Sequence, residues 1–141
     1  MADIFDKAKR GKIMGLVKSK NTKPEIILRK RLHALGFRFR IHDRKLPGNP
    51  DITLSKYKTV IFVNGCFWHG HLNCKQYTVP KTNHEFWVDK VQTNINRDIK
   101  NYDKLKNFGW KVIIVWTCEF KKEKLGLMLN QVASQLLNTI D

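Results

Sequence analysis

The stretch NGCFWHGHLNC, residues 64–74, holds two cysteines, two histidines and a Phe-Trp pair within eleven residues. Cys66, His71 and Cys74 are spaced by five and three, which lets His71 and Cys74 share a face of one helical turn. Cys118, the remaining cysteine, follows an apolar run at 111–116, where the chain can return beside the segment after an earlier run at 59–63. The four together make a Cys3His set, the tetrahedral donor set preferred by structural zinc. Isolated cysteines more often act as small buried hydrophobes, but this clustering favours Zn2+. Zinc would fix the loop against a sheet where burial alone would not. Three cysteines cannot all pair within one chain, in keeping with a reducing compartment.

With His71 assigned to zinc, His69 is left over. An imidazole titrating near neutrality could take a proton from a water attacking phosphorus; the plainer alternative is a solvated loop histidine. Phe67 and Trp68 could belong to the core, or serve as an apolar wedge between base pairs. Asp51 follows the rigid turn Leu46-Pro47-Gly48-Asn49-Pro50 and opens a strand, where a carboxylate can bind a divalent cation or simply satisfy turn amides.

These groups need a scaffold. Asn21-Thr22-Lys23-Pro24-Glu25 reads as a helix start, with Thr22 as N-cap, Glu25 three residues later as in a capping box, and Pro24 in the first turn. Ile26, Ile27, Leu28, Leu32 and Leu35 mark one face of a helix over 23–35 that Gly36 ends. Phe37 to Ile41 alternates as a half-buried strand. The runs Thr59–Val63 and Lys111–Trp116 suit central strands covered on both faces. Residues 85–107 suit a long polar helix, and Leu125 to Leu137 a closing amphipathic one. The sum is an α/β three-layer sandwich: a central mixed sheet of about four strands with helices on both faces, in a single domain spanning 1–141. A domain of this size buries roughly 68–70% of its unfolded surface, enough for a core without disulfides.

Charge points to the partner. The chain carries 27 Lys+Arg against 12 Asp+Glu, a formal charge of +15. Positions 1–58 hold 16 basic and 5 acidic residues, so the amino-terminal part supplies most of the excess. Such a surface favours a polyanion through phosphate contacts and counterion release, with an acidic protein or anionic membrane surface as the alternatives. No apolar run approaches the ~20 residues of a membrane span, and Met1 to Arg10 lacks the apolar centre of a signal peptide. The expectation is a soluble, cytoplasmic protein.

Pro50-Asp51 opening one strand, with the next strand ending at Val63-Asn64, resembles the PD-(D/E)xK (restriction-endonuclease-like) core, although no second acid followed by Lys occurs in 59–64. A fuller resemblance lies in LPGNPDI, VIFVNGCFWHGH, EFWVDK and GWKVIIVW. These occur in the order and spacing of the very short patch repair (Vsr) endonucleases, and NTKPE fits the same alignment.

The resemblance implies a strand-specific, Mg2+-dependent endonuclease with a PD-(D/E)xK-like fold. It would nick double-stranded DNA 5′ to the thymine of a T:G mismatch left by deamination of 5-methylcytosine. By the matching positions, Asp51 would bind Mg2+ through its carboxylate and Val63 through its backbone carbonyl. His69 would be the general base, Glu25 would act through water on the metal, and Asp98 would orient an imidazole. Phe67, Trp68 and Trp87 would enter the base stack beside the mismatch. The basic segment 1–20, including Lys18 and Lys20, would grip the DNA backbone. A monomer associated with the nucleoid of a prokaryotic cell is expected, with mismatch-repair proteins as further partners.

Two departures stand out. Asn64 occupies a position where some members carry a second active-site histidine; an amide can hydrogen-bond a phosphate oxygen but does not protonate a leaving group. Leu72-Asn73 make the zinc segment one residue longer than usual before Cys74. Two other classes compete with this reading: a noncatalytic zinc-containing DNA-binding module, and a restriction-type nuclease making double-strand breaks.

Overall fold

The computed structural model describes residues 21–72, 74–75 and 78–138. The basic segment 1–20, with Lys18 and Lys20, lies outside the described residues.

Helix α1 spans Lys23–Ala34 with Pro24 in its first turn, and the chain leaves it through Gly36 at φ +98°, a left-handed conformation glycine adopts without a Cβ penalty. The capping box expected at Thr22 is not formed. Thr22 makes no side-chain cap bond, and Glu25 instead accepts from the Asn21 N–H at 2.8 Å. Glu25 lies on the same helical stripe as Leu28 and Leu32 and is buried with them, whereas Ile26 and Leu35 are exposed. Hydrophobicity marked the helix correctly but missed the rotation of its inner face, because a carboxylate occupies one inward position.

The sheet follows in the order β1 (Arg40–Ile41), β2 (Ile52–Leu54), β3 (Thr59–Asn64), β4 (Lys111–Trp116). β1–β2 and β2–β3 are antiparallel; β3–β4 is parallel, and α2 (His84–Asn107) lies in the connection. The sheet is therefore mixed and four-stranded, as expected. The strand expected over 37–41 pairs only at its last two residues, since β2 is short and the chain turns away at His42, φ +48°. β4 is an edge strand rather than a central one. A continuous apolar run reports that both faces are covered, not that both edges are paired.

Pleat parity divides the core. Ile52 pairs with Ile61, and both face Leu28 and Leu32 of α1 and Met128, Leu129, Val132 and Leu136 of α3 (Lys122–Leu137). Val60 and Phe62 face the opposite way, onto Leu105 of α2. This gives the expected three layers. It also puts Phe62 and Asn64 on the α2 side, since each is an odd number of residues from Ile61, while Asp51 precedes β2 and reaches Glu25 of α1. Among the described residues, no helix is long and apolar enough to cross a membrane.

Candidate functional site

The turn before β2 is closed by an Asn49 N–H to Leu46 C=O bond of 3.1 Å with Pro47 and Gly48 between, Gly48 at φ +78°. A side chain at Gly48 would press on Phe62 and Asn101 at 3.1–3.2 Å, so glycine is required there for the turn to lie against the sheet. The turn delivers Asp51 to the β3 backbone, where the Val63 N–H donates to Asp51 Oδ2 at 2.6 Å. The two residues expected to bind Mg2+ are thus direct neighbours. Burial pushes the Asp51 carboxyl up to about 6, opposed by the Val63 bond, helped by the nearby Glu25 carboxylate, and opposed again by His42 and Arg29.

Glu25 joins from α1. Its Oε2 accepts from Arg29 Nη2 at 2.9 Å and meets His42 Nε2 at 3.2 Å, while Arg29 Nη2 lies 3.1 Å from the same imidazole nitrogen. Glu25, His42 and Asp51 each present a ligand atom within 4.8 Å of the others. Two carboxylates and an imidazole fit a divalent cation, and a buried carboxyl whose ionised form is disfavoured gains most from one. The nitrogen donor suits Mn2+ better than Mg2+.

Across a cleft of about 920 Å3, lined among others by Glu25, Asp51, Asn64, Trp68, His69 and Tyr102, stands the imidazole. His69 Nδ1 and Asp98 Oδ2 are 2.5 Å apart. A carboxylate accepts from Nδ1–H, which leaves the lone pair on Nε2, the tautomer a general base needs. Asp98 belongs to a stripe of α2 that faces the site. Asn94 donates to the Trp68 carbonyl at 3.0 Å, Asp98 holds His69, and Tyr102 accepts from Asn64 Nδ2 at 2.8 Å. Residues four apart stack on one helical face, so one rigid rod positions three parts of the cleft. Gly70, at φ +62°, allows the loop onto that rod, since a Cβ there would meet Ile95 at 2.5 Å. Asn64 is buried, and one N–H of the amide expected to meet a phosphate is committed to Tyr102.

The four proposed zinc ligands also converge. Asn64 pairs with Trp116 in the parallel β3–β4 ladder, so Cys66 and Cys118, each two residues beyond, emerge side by side. Cys66, His71, Cys74 and Cys118 present ligand atoms within 4.8 Å of one another, with Cys118 Sγ 3.5 Å from His71 Nδ1. The His71 ring is fixed by stacking on Trp116 at 4.1 Å and 6°. Burial pushes the Cys118 thiol up to about 12, reinforced by Cys66 and Cys74, and lowers His71. Three sulfurs and an imidazole in this geometry form a site where a bound cation would hold the cysteines as thiolates.

Trp68, which lines the cleft, packs edge to face with Phe67 and Trp87, and the three centroids lie 5.2–5.8 Å apart. All three are half-buried and none belongs to either core cluster, so the core alternative for Phe67 and Trp68 falls away. Phe86 extends the cluster at 5.0 Å from Trp87 and is exposed.

A family profile described as DNA mismatch endonuclease Vsr matches residues 2–76. The chain belongs to the Vsr family. It is 47% identical over 137 residues, covering 94% of this chain and 97% of the relative, to the type II nicking enzyme V.NmeAIP of Neisseria meningitidis serogroup A. To the DNA mismatch endonuclease Vsr of Escherichia coli K12 it is 43% identical over 126 residues, 89% of this chain and 80% of the relative. To the type II nicking enzyme V.XorIIP of Xanthomonas oryzae pv. oryzae it is 39% identical over 141 residues, 100% and 98%.

His42, Arg29, Asn94 and Tyr102 were missed by sequence reasoning. The spacing of Asn94, Asp98 and Tyr102 carried a signal, a polar stripe along one face of a helix. His42 and Arg29 carried none, because their meeting depends on how α1 packs beside the end of β1.

Proposed function

We propose that this Vsr-family chain is a Mg2+-dependent endonuclease that nicks one strand of duplex DNA, 5′ to the thymine of a T:G mismatch. The observation that supports this best is the cleft itself: an Asp51–Glu25–His42 cation site faces a His69–Asp98 pair, beneath an aromatic rim.

The cation, held by Asp51 and the Val63 carbonyl, would supply Lewis-acid polarisation of the scissile phosphate. His69, oriented through Nδ1 by Asp98, takes a proton on Nε2 from the attacking water. Glu25 adds negative charge next to Asp51 and strengthens the hold on a cation. Phe67, Trp68 and Trp87 offer π faces for unstacked bases; unstacking costs a few kcal/mol and is cheapest at a mispair, so insertion itself favours damaged sites. Cys66, His71, Cys74 and Cys118 would hold Zn2+, which would stiffen the loop that carries both the wedge and the base, a positioning role. One active centre suffices for one nick, so the acting species is a monomer.

The test is an end-labelled duplex with a single T:G mismatch, incubated with Mg2+ beside T:A and C:G controls and an Asp51→Ala variant. The expected result is a nick 5′ to the mismatched thymine, absent from the variant, with duplex binding retained. Tight binding without cleavage would favour a noncatalytic module, and linearised plasmid without any mismatch a restriction-type nuclease.

A further inference from the structure

Tyr102 is the one phenol lining the cleft among the described residues, and neither metal site nor the His69–Asp98 pair uses it. Its ring is fixed edge to face against Phe62, with centroids 5.0 Å apart, and its oxygen accepts the Asn64 amide at 2.8 Å. Asn64 is 4% exposed, so that bond is a built feature of the cleft wall. A phenol has one O–H to donate besides its lone pairs. With Asn64 donating to the oxygen, the O–H must find an acceptor elsewhere, and no side-chain or backbone acceptor for it occurs among the described residues. Of the other donors lining the cleft, Arg97 is engaged with Asp98 and Asn64 with Tyr102 itself.

We propose that Tyr102 is a further catalytic residue: held by the buried Asn64 amide, its hydroxyl donates a hydrogen bond to a nonbridging oxygen of the phosphate under attack. The inference rests on the nuclease reading above, because it needs a phosphate in the cleft. Burial holds the phenol up at about 12, so it remains a neutral donor at working pH. A fixed donor aimed where negative charge grows is worth more in the transition state than in the ground state.

The test is single-turnover nicking of a T:G duplex by wild type, Tyr102→Phe, Asn64→Ala and the double variant. Each is run with the normal phosphate and with each of the two phosphorothioate diastereomers at the scissile position. Tyr102→Phe should slow nicking about 10- to 100-fold, with duplex affinity within about twofold; the melting temperature should fall by a few degrees, because the buried Asn64 amide loses its acceptor. Sulfur is a poor acceptor, so one diastereomer should slow wild type markedly and Tyr102→Phe far less. Asn64→Ala should lose less than Tyr102→Phe, and the double variant no more than Tyr102→Phe alone. A Tyr102→Phe rate within twofold of wild type, or equal thio effects in both proteins, overturns the proposal. If wild type nicks and Asp51→Ala does not while Tyr102→Phe is unaffected, Tyr102 alone is wrong. If wild type nicks no mismatched duplex, the nuclease reading falls and takes this inference with it.

Discussion

Asp51→Asn should make the metal-free protein more stable while abolishing nicking. Burial raises the Asp51 carboxyl from 3.8 to about 6, and each tenfold change in proton affinity corresponds to about 1.4 kcal/mol. Above pH 6 the ionised side chain therefore costs the fold up to about 3 kcal/mol relative to an ordinary aspartate. The sign follows from proton binding. Between about pH 4 and 6 the folded state holds more protons than the unfolded one, so wild-type stability falls as pH rises through that window and levels off above it. Asparagine keeps an oxygen to accept from Val63 and has no such slope. Its new amide N–H groups recover less than the full amount, so the expected gain is about 1–3 kcal/mol at pH 7.5. Urea unfolding in chelator at pH 4.5, 5.5, 6.5 and 7.5 measures this as the difference between variant and wild type, which cancels other titrating groups. The difference should be about a third of its full size at pH 4.5 and complete by pH 7. Adding divalent cation should close or reverse the gap, since a hundred times Kd stabilises the wild type by about 2.7 kcal/mol against a gain of about 1–3 kcal/mol. A variant less stable than wild type at pH 7.5 without metal, or a difference that does not change with pH, would refute the reasoning.

Cys118→Ser should remove tightly bound zinc and lower the melting temperature, read by elemental analysis and thermal unfolding; unchanged metal content would remove Cys118 from the site. His42→Gln should weaken Mn2+ binding about tenfold while leaving Mg2+ nearly unchanged, measured by electron paramagnetic resonance of free Mn2+. Equal effects on both ions would mean that His42 only packs. Asp98→Asn should slow nicking at least about 100-fold without a change in fold, because an amide no longer enforces the Nδ1–H tautomer of His69. Trp87→Ala should cost about 1–3 kcal/mol of mismatch-duplex affinity with zinc retained, checked by fluorescence anisotropy.

Much of the scaffold was legible in the sequence because it depends on local patterns. Pro24 and Gly36 bracketed α1, Pro47-Gly48 made the expected turn, and the β-branched run 59–63 became the one long internal strand. The convergence of the Cys3His set was legible for a different reason. Three cysteines and a histidine are scarce residues, and the parallel return of β4 beside β3 was the simplest way to bring Cys118 to Cys66. The neighbouring errors have a common origin. Glu25 looked like a cap because its spacing from Thr22 fits one, but the carboxylate is held by Asn21, by Arg29 one helical turn on, and by His42, 17 residues away along the chain.

The sequence by itself determined the family, through its motifs, and the order and type of the main elements, the basic charge and the Cys3His donor set, through composition and short-range periodicity. Only the tertiary structure decided which groups share a cleft. The pleat of β3 turned Asn64 toward α2, and the helical repeat of α2 then offered Asn94, Asp98 and Tyr102 to three different partners. Those pairings join residues 26 to 38 positions apart. Local propensity has no reach over that distance; packing of a helix against a sheet does.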